Sequence, residues 1–330
     1  MTDSPAVAWS WRNAAHGAVL ALPAAVLGLL DPSLALPLAV GVLPAAALGL
    51  RSTRQERALV MVVGATAAIS LFLGAAVSPW PVVAVVTVFV LCVFVATLAA
   101  DPTRRLAPLV LTLGLPLYGA GLSEGSWAKG LAAAALLLAG TVYGWLVSLA
   151  WPEGAASARP SHATAPRSFL IVYGVQIGLA AAVGAALGYA LGVDHPGWAC
   201  AAALLVSRPD RAQLDARAWG RSMSVIAGAL AAALIAVLAL PPAGLSVVLI
   251  ALLGAAAGVS GSRSYIFPFF STALVLALLI GDEPQTIGHW LVERVVLTIV
   301  GVLLALGAAW LVPAVARRLG AAGQASRSEP

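Results

Sequence analysis

The sequence predicts an all-α integral membrane protein of about twelve transmembrane helices, in two parallel six-helix repeats related by a pseudo-two-fold axis along the membrane normal. Composition, an internal repeat and the placement of charge predict it. Hydrophobic residues make up 61% of the 330 and charged residues 9%, with a mean hydropathy of +0.99, far outside the range of soluble domains. Spanning roughly 30 Å of hydrocarbon takes about 20 helical residues, and every backbone polar group must be satisfied within the span. Stretches such as Leu131–Leu149 and Val295–Val312 are apolar on every face, without the alternation of an outer-membrane strand. The first 13 residues lead into apolar sequence without an A-x-A cleavage site, so a retained, cytoplasmic N-terminus is expected.

Residues 14–152 and 168–313 each lay down six apolar stretches in one order. Arg57 and Gly64 match Arg221 and Gly228 at an offset of 164, Pro108 matches Pro268 at 160, and Gly140 and Pro152 match Gly301 and Pro313 at 161. Ordered anchors at nearly constant separation mark a duplication. Such duplications place their pathway between the halves.

The expected spans are 14–30, 34–50, 58–77, 80–99, 106–122 and 129–150, then 168–191, 195–207, 221–240, 245–260, 264–280 and 291–312. The eighth runs from His195-Pro196-Gly197 to Arg208-Pro209, too short for a full crossing, and reads as a broken helix. Pro23, Pro37, Pro44, Pro108, Pro116 and Pro268 fall inside spans, where each frees a backbone carbonyl. Residues 1–13 form a cytoplasmic N-terminus, 153–167 a Pro/Ala/Ser-rich linker and 314–330 a basic tail. The spacings Gly140-x3-Gly144, Gly184-x3-Gly188 and Gly254-x3-Gly258 suit close helix packing. Cys92 and Cys200 fall in apolar spans and read as buried free thiols.

With alternate loops counted as inside, sixteen of the 18 Lys and Arg fall inside, Arg104, Arg105, Arg159 and Arg327 among them. Only Lys129 and Arg294 fall outside. This positive-inside pattern predicts an even number of spans per half, both termini cytoplasmic, in the plasma or inner membrane. The sequence pI near 9.8 then reflects topology and anionic inner-leaflet lipid, and no nucleic-acid partner is implied.

No H-E-x-x-H, P-loop, G-x-S-x-G or metal-spaced Cys/His cluster occurs, and His16, His162, His195 and His289 are scattered; an enzyme is disfavoured, and no cofactor or metal is expected. Carboxylates sit at span ends, such as Glu283 and Glu293, or in loops and tails. The candidates are basic. Arg217 and Arg221 are four apart, so on a helix they share a face and repel, which an anion would relieve. Arg54 and Arg57 hold the equivalent place in the first half. A guanidinium stays charged at working pH and offers a planar fork to a carboxylate. Lys129 and Arg294 start the last helix of each repeat and read as the far end of an anion path or as snorkelling anchors. Arg263 beside Tyr265, Phe267, Phe269 and Phe270 offers a cation and stacking surface for an aromatic acid, or an interfacial belt.

Trp198-Ala199, Arg208-Pro209, Arg217-x3-Arg221 leading to Gly228, and Arg294-x6-Gly301 together resemble the fusaric acid resistance-like family, most clearly over residues 168–313. The resemblance implies export of aromatic or other organic anions, with Trp198, Arg208, Arg217, Arg221 and Arg294 at the site, and a distant kinship with aluminium-activated malate channels. An inside-negative potential gives about 2.3 kcal/mol per 100 mV for each negative charge leaving, roughly a fortyfold gradient, so no ATP site is required. The competing reading is a membrane scaffold, with an enzyme of lipid-linked substrates third. Pairing into a homo-oligomer is compatible with either.

Overall fold

The computed structural model of the chain describes residues 7–99, 101, 106–154, 166–263, 265–282 and 287–325. Most of the 153–167 linker, with Arg159 and His162, lies outside the described residues, as do Arg104, Arg105, Glu283 and Arg327. Among the described residues twelve apolar helical segments follow one another. They are α1 (Trp11–Leu30), α2 (Pro32–Leu48), α3 (Arg54–Val77), α4 (Pro81–Leu98), α5 (Ala107–Gly121) and α6 (Trp127–Leu149). Then come α7 (Arg167–Leu191), α8 (Trp198–Val206), α9 (Arg211–Val237), α10 (Pro242–Gly258), α11 (Phe267–Asp282) and α12 (Ile287–Ala325). Seven are long and apolar enough to cross a membrane. The chain is a multi-pass membrane protein.

Local chemistry sets the ends. Ser10, Asp31, Thr53, Ser126 and Asp210 each accept a hydrogen bond from a first-turn backbone N–H at the starts of α1, α2, α3, α6 and α9, satisfying donors that a helix leaves orphaned. Gly192, at a φ of 61°, closes α7 in a left-handed cap. Two spans depart from full helices. In α5 the prolines at 108 and 116 interrupt the backbone ladder, and the chain passes through a π-helical turn, Val110–Gly114, before resuming at Leu117. The nine residues of α8 rise only about 13 Å, and the backbone then runs irregularly through Ser207 and Arg208 to Pro209. At the other extreme, α12 continues through Pro313 to Ala325, past the expected end at residue 312.

Helix packing crosses between the halves in a reciprocal way: α1 lies along α10 and α4 along α7. Within the halves, α6 packs on α3 and α2, and α12 on α9 and α8. Glycines make the closest of these contacts possible. A Cβ at Gly140 would stand 2.7 Å from the Leu38 carbonyl oxygen, and one at Gly301 2.3 Å from that of Ala199. Ala84, Val88 and Cys92 of α4 bury with Ala181 and Ala185 of α7, and Leu20, Ala21 and Ala24 of α1 with Leu249, Leu253 and Ala257 of α10. The seam between the halves is therefore apolar, and Cys92 and Cys200 are buried free thiols in it. The ends of α2, α6 and α8 and the starts of α3 and α9 lie at one end of the bundle, here the basic end.

Candidate functional site

Charge in this bundle concentrates on two helices of the second half. Helix α9 begins at Arg211, ten residues before the expected start of that span, so Arg217 and Arg221 stand one turn apart on a single helix face. Arg208 comes from the irregular backbone after α8, and Arg294 from α12. Arg294, Arg208 and Arg217 all lie near enough for their charges to act on Arg221. The Nε atoms of Arg221 and Arg294 are buried without a hydrogen-bond partner. Among the described residues no carboxylate pairs with any of the four; the ion pairs there include Arg54–Glu153, His195–Glu293, His289–Asp194 and His289–Glu293. Unpaired like charges in a low-dielectric interior are costly, and an anion among them offsets that cost.

Toward the basic end Arg208 alone of the four borders a hollow of about 150 Å³, lined also by Phe169, Tyr173 and Gln176 of α7, Arg211, and Pro313 of α12 among others. The Ser207 carbonyl accepts hydrogen bonds from the Tyr173 hydroxyl at 3.2 Å and from the Arg208 guanidinium, fixing Arg208 against this space. Burial, reinforced by the charge of Arg217, lowers the Arg208 pKa to about 10, which leaves it protonated at neutral pH. At the opposite end His195 stacks on Trp198 with ring centroids 3.9 Å apart, and the Arg294 guanidinium lies 4.8 Å from the centre of the same indole. A stacked imidazole covers one face, so the cation takes the other. Trp198 thus holds Arg294 in place and has no open face for a ligand.

The remaining expected residues lie elsewhere. The Tyr265 side chain packs against Gly220, its carbonyl accepting from Ser224 Oγ; Arg263 is exposed before it. Arg57 is buried with its donors occupied: Nε gives to the Arg51 carbonyl, and the terminal nitrogens to those of Ser148, Trp151 and Pro152. It caps the end of α6. Arg54 is exposed and pairs with Glu153, and Lys129 is exposed at the start of α6. A ring of arginines from both halves is therefore not assembled. Nor do the four unpaired arginines face the seam: α9 and α12 pack on helices of their own half, and the expected location between the repeats gives way to one inside the second bundle.

Tyr173, Phe169 and Gln176 stand in a largely apolar helix, and only packing reveals that their face meets Arg208. A second cluster was also missed. Asp194, His289 and Glu293 bring ligating atoms within 4.8 Å of one another at the end opposite the basic one, and the four-residue spacing of His289 and Glu293 was its one visible trace.

Residues 181–308, from the middle of α7 into α12, match the model of the family described as fusaric acid resistance protein-like. No curated protein and no solved structure matches the chain.

Proposed function

We propose that this protein is a membrane exporter, carrier-like or channel-like, of organic and in particular aromatic carboxylate anions. The observation that carries the reading is Arg221 with the charges of Arg208, Arg217 and Arg294 acting on it inside one helical bundle, none of the four paired with a carboxylate among the described residues. Two of them have buried Nε–H groups that nothing accepts. The family match covers α8 and α9 entire and most of α12, which are the elements that carry them. Phe169 and Tyr173 line the hollow beside Arg208, a pairing of aromatic surface and cation that suits an aromatic acid.

In this reading the basic end faces the cytoplasm. Arg208 and Arg217 collect the anion, Arg221 accepts it further in, and Arg294 passes it outward past Trp198. The membrane potential supplies the driving force. The two halves are copies of one parallel six-helix unit, a reading supported by the reciprocal packing of α1 on α10 and α4 on α7. Of the two copies only the second keeps the anion path.

The scaffold reading has one observation in its favour, the apolar seam. Flux measurements separate the two. In proteoliposomes under an imposed potential, the native chain should carry benzoate, and the Arg221→Gln, Arg294→Gln double variant should lose at least tenfold of that flux while eluting as a folded monodisperse species. Unchanged flux in a folded double variant, or none in the native chain, overturns the proposal.

A further inference from the structure

We infer that Asp194, His289 and Glu293 form a binding site for a divalent transition-metal ion, zinc in the first place, at the end of the bundle opposite the basic one. The proposal is independent of the transport reading. His289 and Glu293 stand one turn apart on α12, so both side chains leave the same face; Asp194 reaches them from the segment between α7 and α8. The Nε2 of His289 lies 3.0 Å from Asp194 Oδ2 and 3.4 Å from Glu293 Oε2. Ligands about 2.0–2.1 Å from a tetrahedral zinc are separated by roughly 3.3–3.4 Å. Two of the three separations thus stand near the edge of a zinc tetrahedron and all three atoms lie within 4.8 Å of one another, so a small rotation of the exposed Asp194 side chain closes the set on an ion and leaves the fourth position for water or a ligand.

Glu293 supplies the second, independent observation. Its side chain is 3% exposed on a helix where the apolar environment favours no bare carboxylate. One oxygen, Oε1, accepts the backbone N–H of His195 at 2.7 Å. The other, Oε2, is buried and accepts no hydrogen bond, and it is the oxygen that faces His289. A carboxylate anchored through one oxygen with the other presented to an imidazole is the arrangement by which outer hydrogen bonds orient a metal ligand. One nitrogen and two carboxylate oxygens favour zinc over magnesium or calcium, which take all-oxygen sets. The His289 and Asp194 side chains are 60% and 59% exposed, which gives the ion an approach from solvent.

Titration calorimetry of the purified full-length chain in detergent, with zinc chloride as the only titrant, tests this. One zinc per chain is expected, with affinity reduced at least tenfold in His289→Ala and in Glu293→Gln, and unaltered in Glu124→Gln, another carboxylate at the same end. Cobalt should report a tetrahedral absorption spectrum in the native chain that His289→Ala abolishes, provided the variant keeps the native elution volume. Absence of saturable zinc binding, or binding equal in all variants, overturns the site and leaves His289 as a plain ion-pair partner of the two acids. No organic anion is present and no flux is read, so this outcome and that of the transport experiment fail or stand separately.

Discussion

Arg57 and Arg221 are matched in sequence at an offset of 164 and have opposite surroundings. In the first half, α6 ends at Leu149 and the chain turns away, leaving carbonyls at Ser148, Trp151 and Pro152 that α3 approaches closely enough for Arg57 to collect. In the second half, α12 does not end at the matching point but continues through Pro313, so the corresponding carbonyls face a continuing helix. Arg221 is left with a buried, unpartnered Nε and three arginines for neighbours. One difference in where a helix stops converts a structural cap into an unsatisfied charge. An arginine matched in sequence is not thereby matched in role: its role is set by the acceptors the neighbouring helix leaves open.

The largest expected contrast follows from exchanging these two residues one at a time. Arg57→Met removes the donors from four carbonyls and should cost about 2–3 kcal/mol, read as a clear drop in the thermal midpoint of the detergent-solubilised protein. Benzoate flux per folded molecule should stay within about twofold of the native value, since Arg57 touches no part of the basic column. Arg221→Met should do the reverse. Removing one of several mutually repelling buried cations leaves the midpoint unchanged or raised, while flux falls at least tenfold, the stability–activity opposition expected where strain serves function. If both variants lose stability alike and flux alike, the two halves are equivalent and the asymmetry argued from helix ends is wrong.

A smaller effect sharpens the comparison by asking where the halves do agree. Gly140→Val and Gly301→Val each place a Cβ within 3 Å of a backbone oxygen of the second helix of the half, on Leu38 and Ala199 respectively. Backbone cannot yield as a side chain can, and each should cost on the order of 1–3 kcal/mol. Losses differing by more than that range would mean that the α6–α2 and α12–α8 contacts, although matched in sequence position, are not the same contact.

How much of this was legible beforehand depended on range. Composition gave the helices, and the basic loops and prolines gave their order; the short eighth span was visible because Gly197 and Pro209 bracket it. Gly140 and Gly301 mark close approaches to α2 and α8, whereas the anchors Gly64 and Gly228 meet α6 and α11, because a glycine signals close approach whichever helix supplies the neighbour. What could not be read was partner choice. Nothing in α1 names α10 as its neighbour, since Ala- and Leu-rich faces are interchangeable in pattern and become specific only through shape. For the same reason the arginines were expected at the seam between repeats, where they are not. Arg217 and Arg221 were singled out by their spacing, Arg294 by its place on the less basic side, and Arg208 and Trp198 only by the resemblance, whereas Tyr173 on α7 and the acid–histidine cluster required three dimensions.

The finest test uses one hydroxyl in each half. Tyr143 donates to the Val19 carbonyl at 2.8 Å and Tyr173 to that of Ser207 at 3.2 Å, so each Tyr→Phe change removes a single hydrogen bond worth about 1 kcal/mol. In the first half that is all it removes, and Tyr143→Phe should lower stability slightly with transport intact. In the second half the same carbonyl also holds the Arg208 guanidinium, so Tyr173→Phe loosens a cation at the mouth of the basic column. The expected signature is a rise of about threefold in the benzoate concentration for half-maximal flux, equivalent to ~0.6 kcal/mol, with the maximal rate preserved. A change in maximal rate instead would put Tyr173 in the translocation step and move the start of the path from Arg208 to α7.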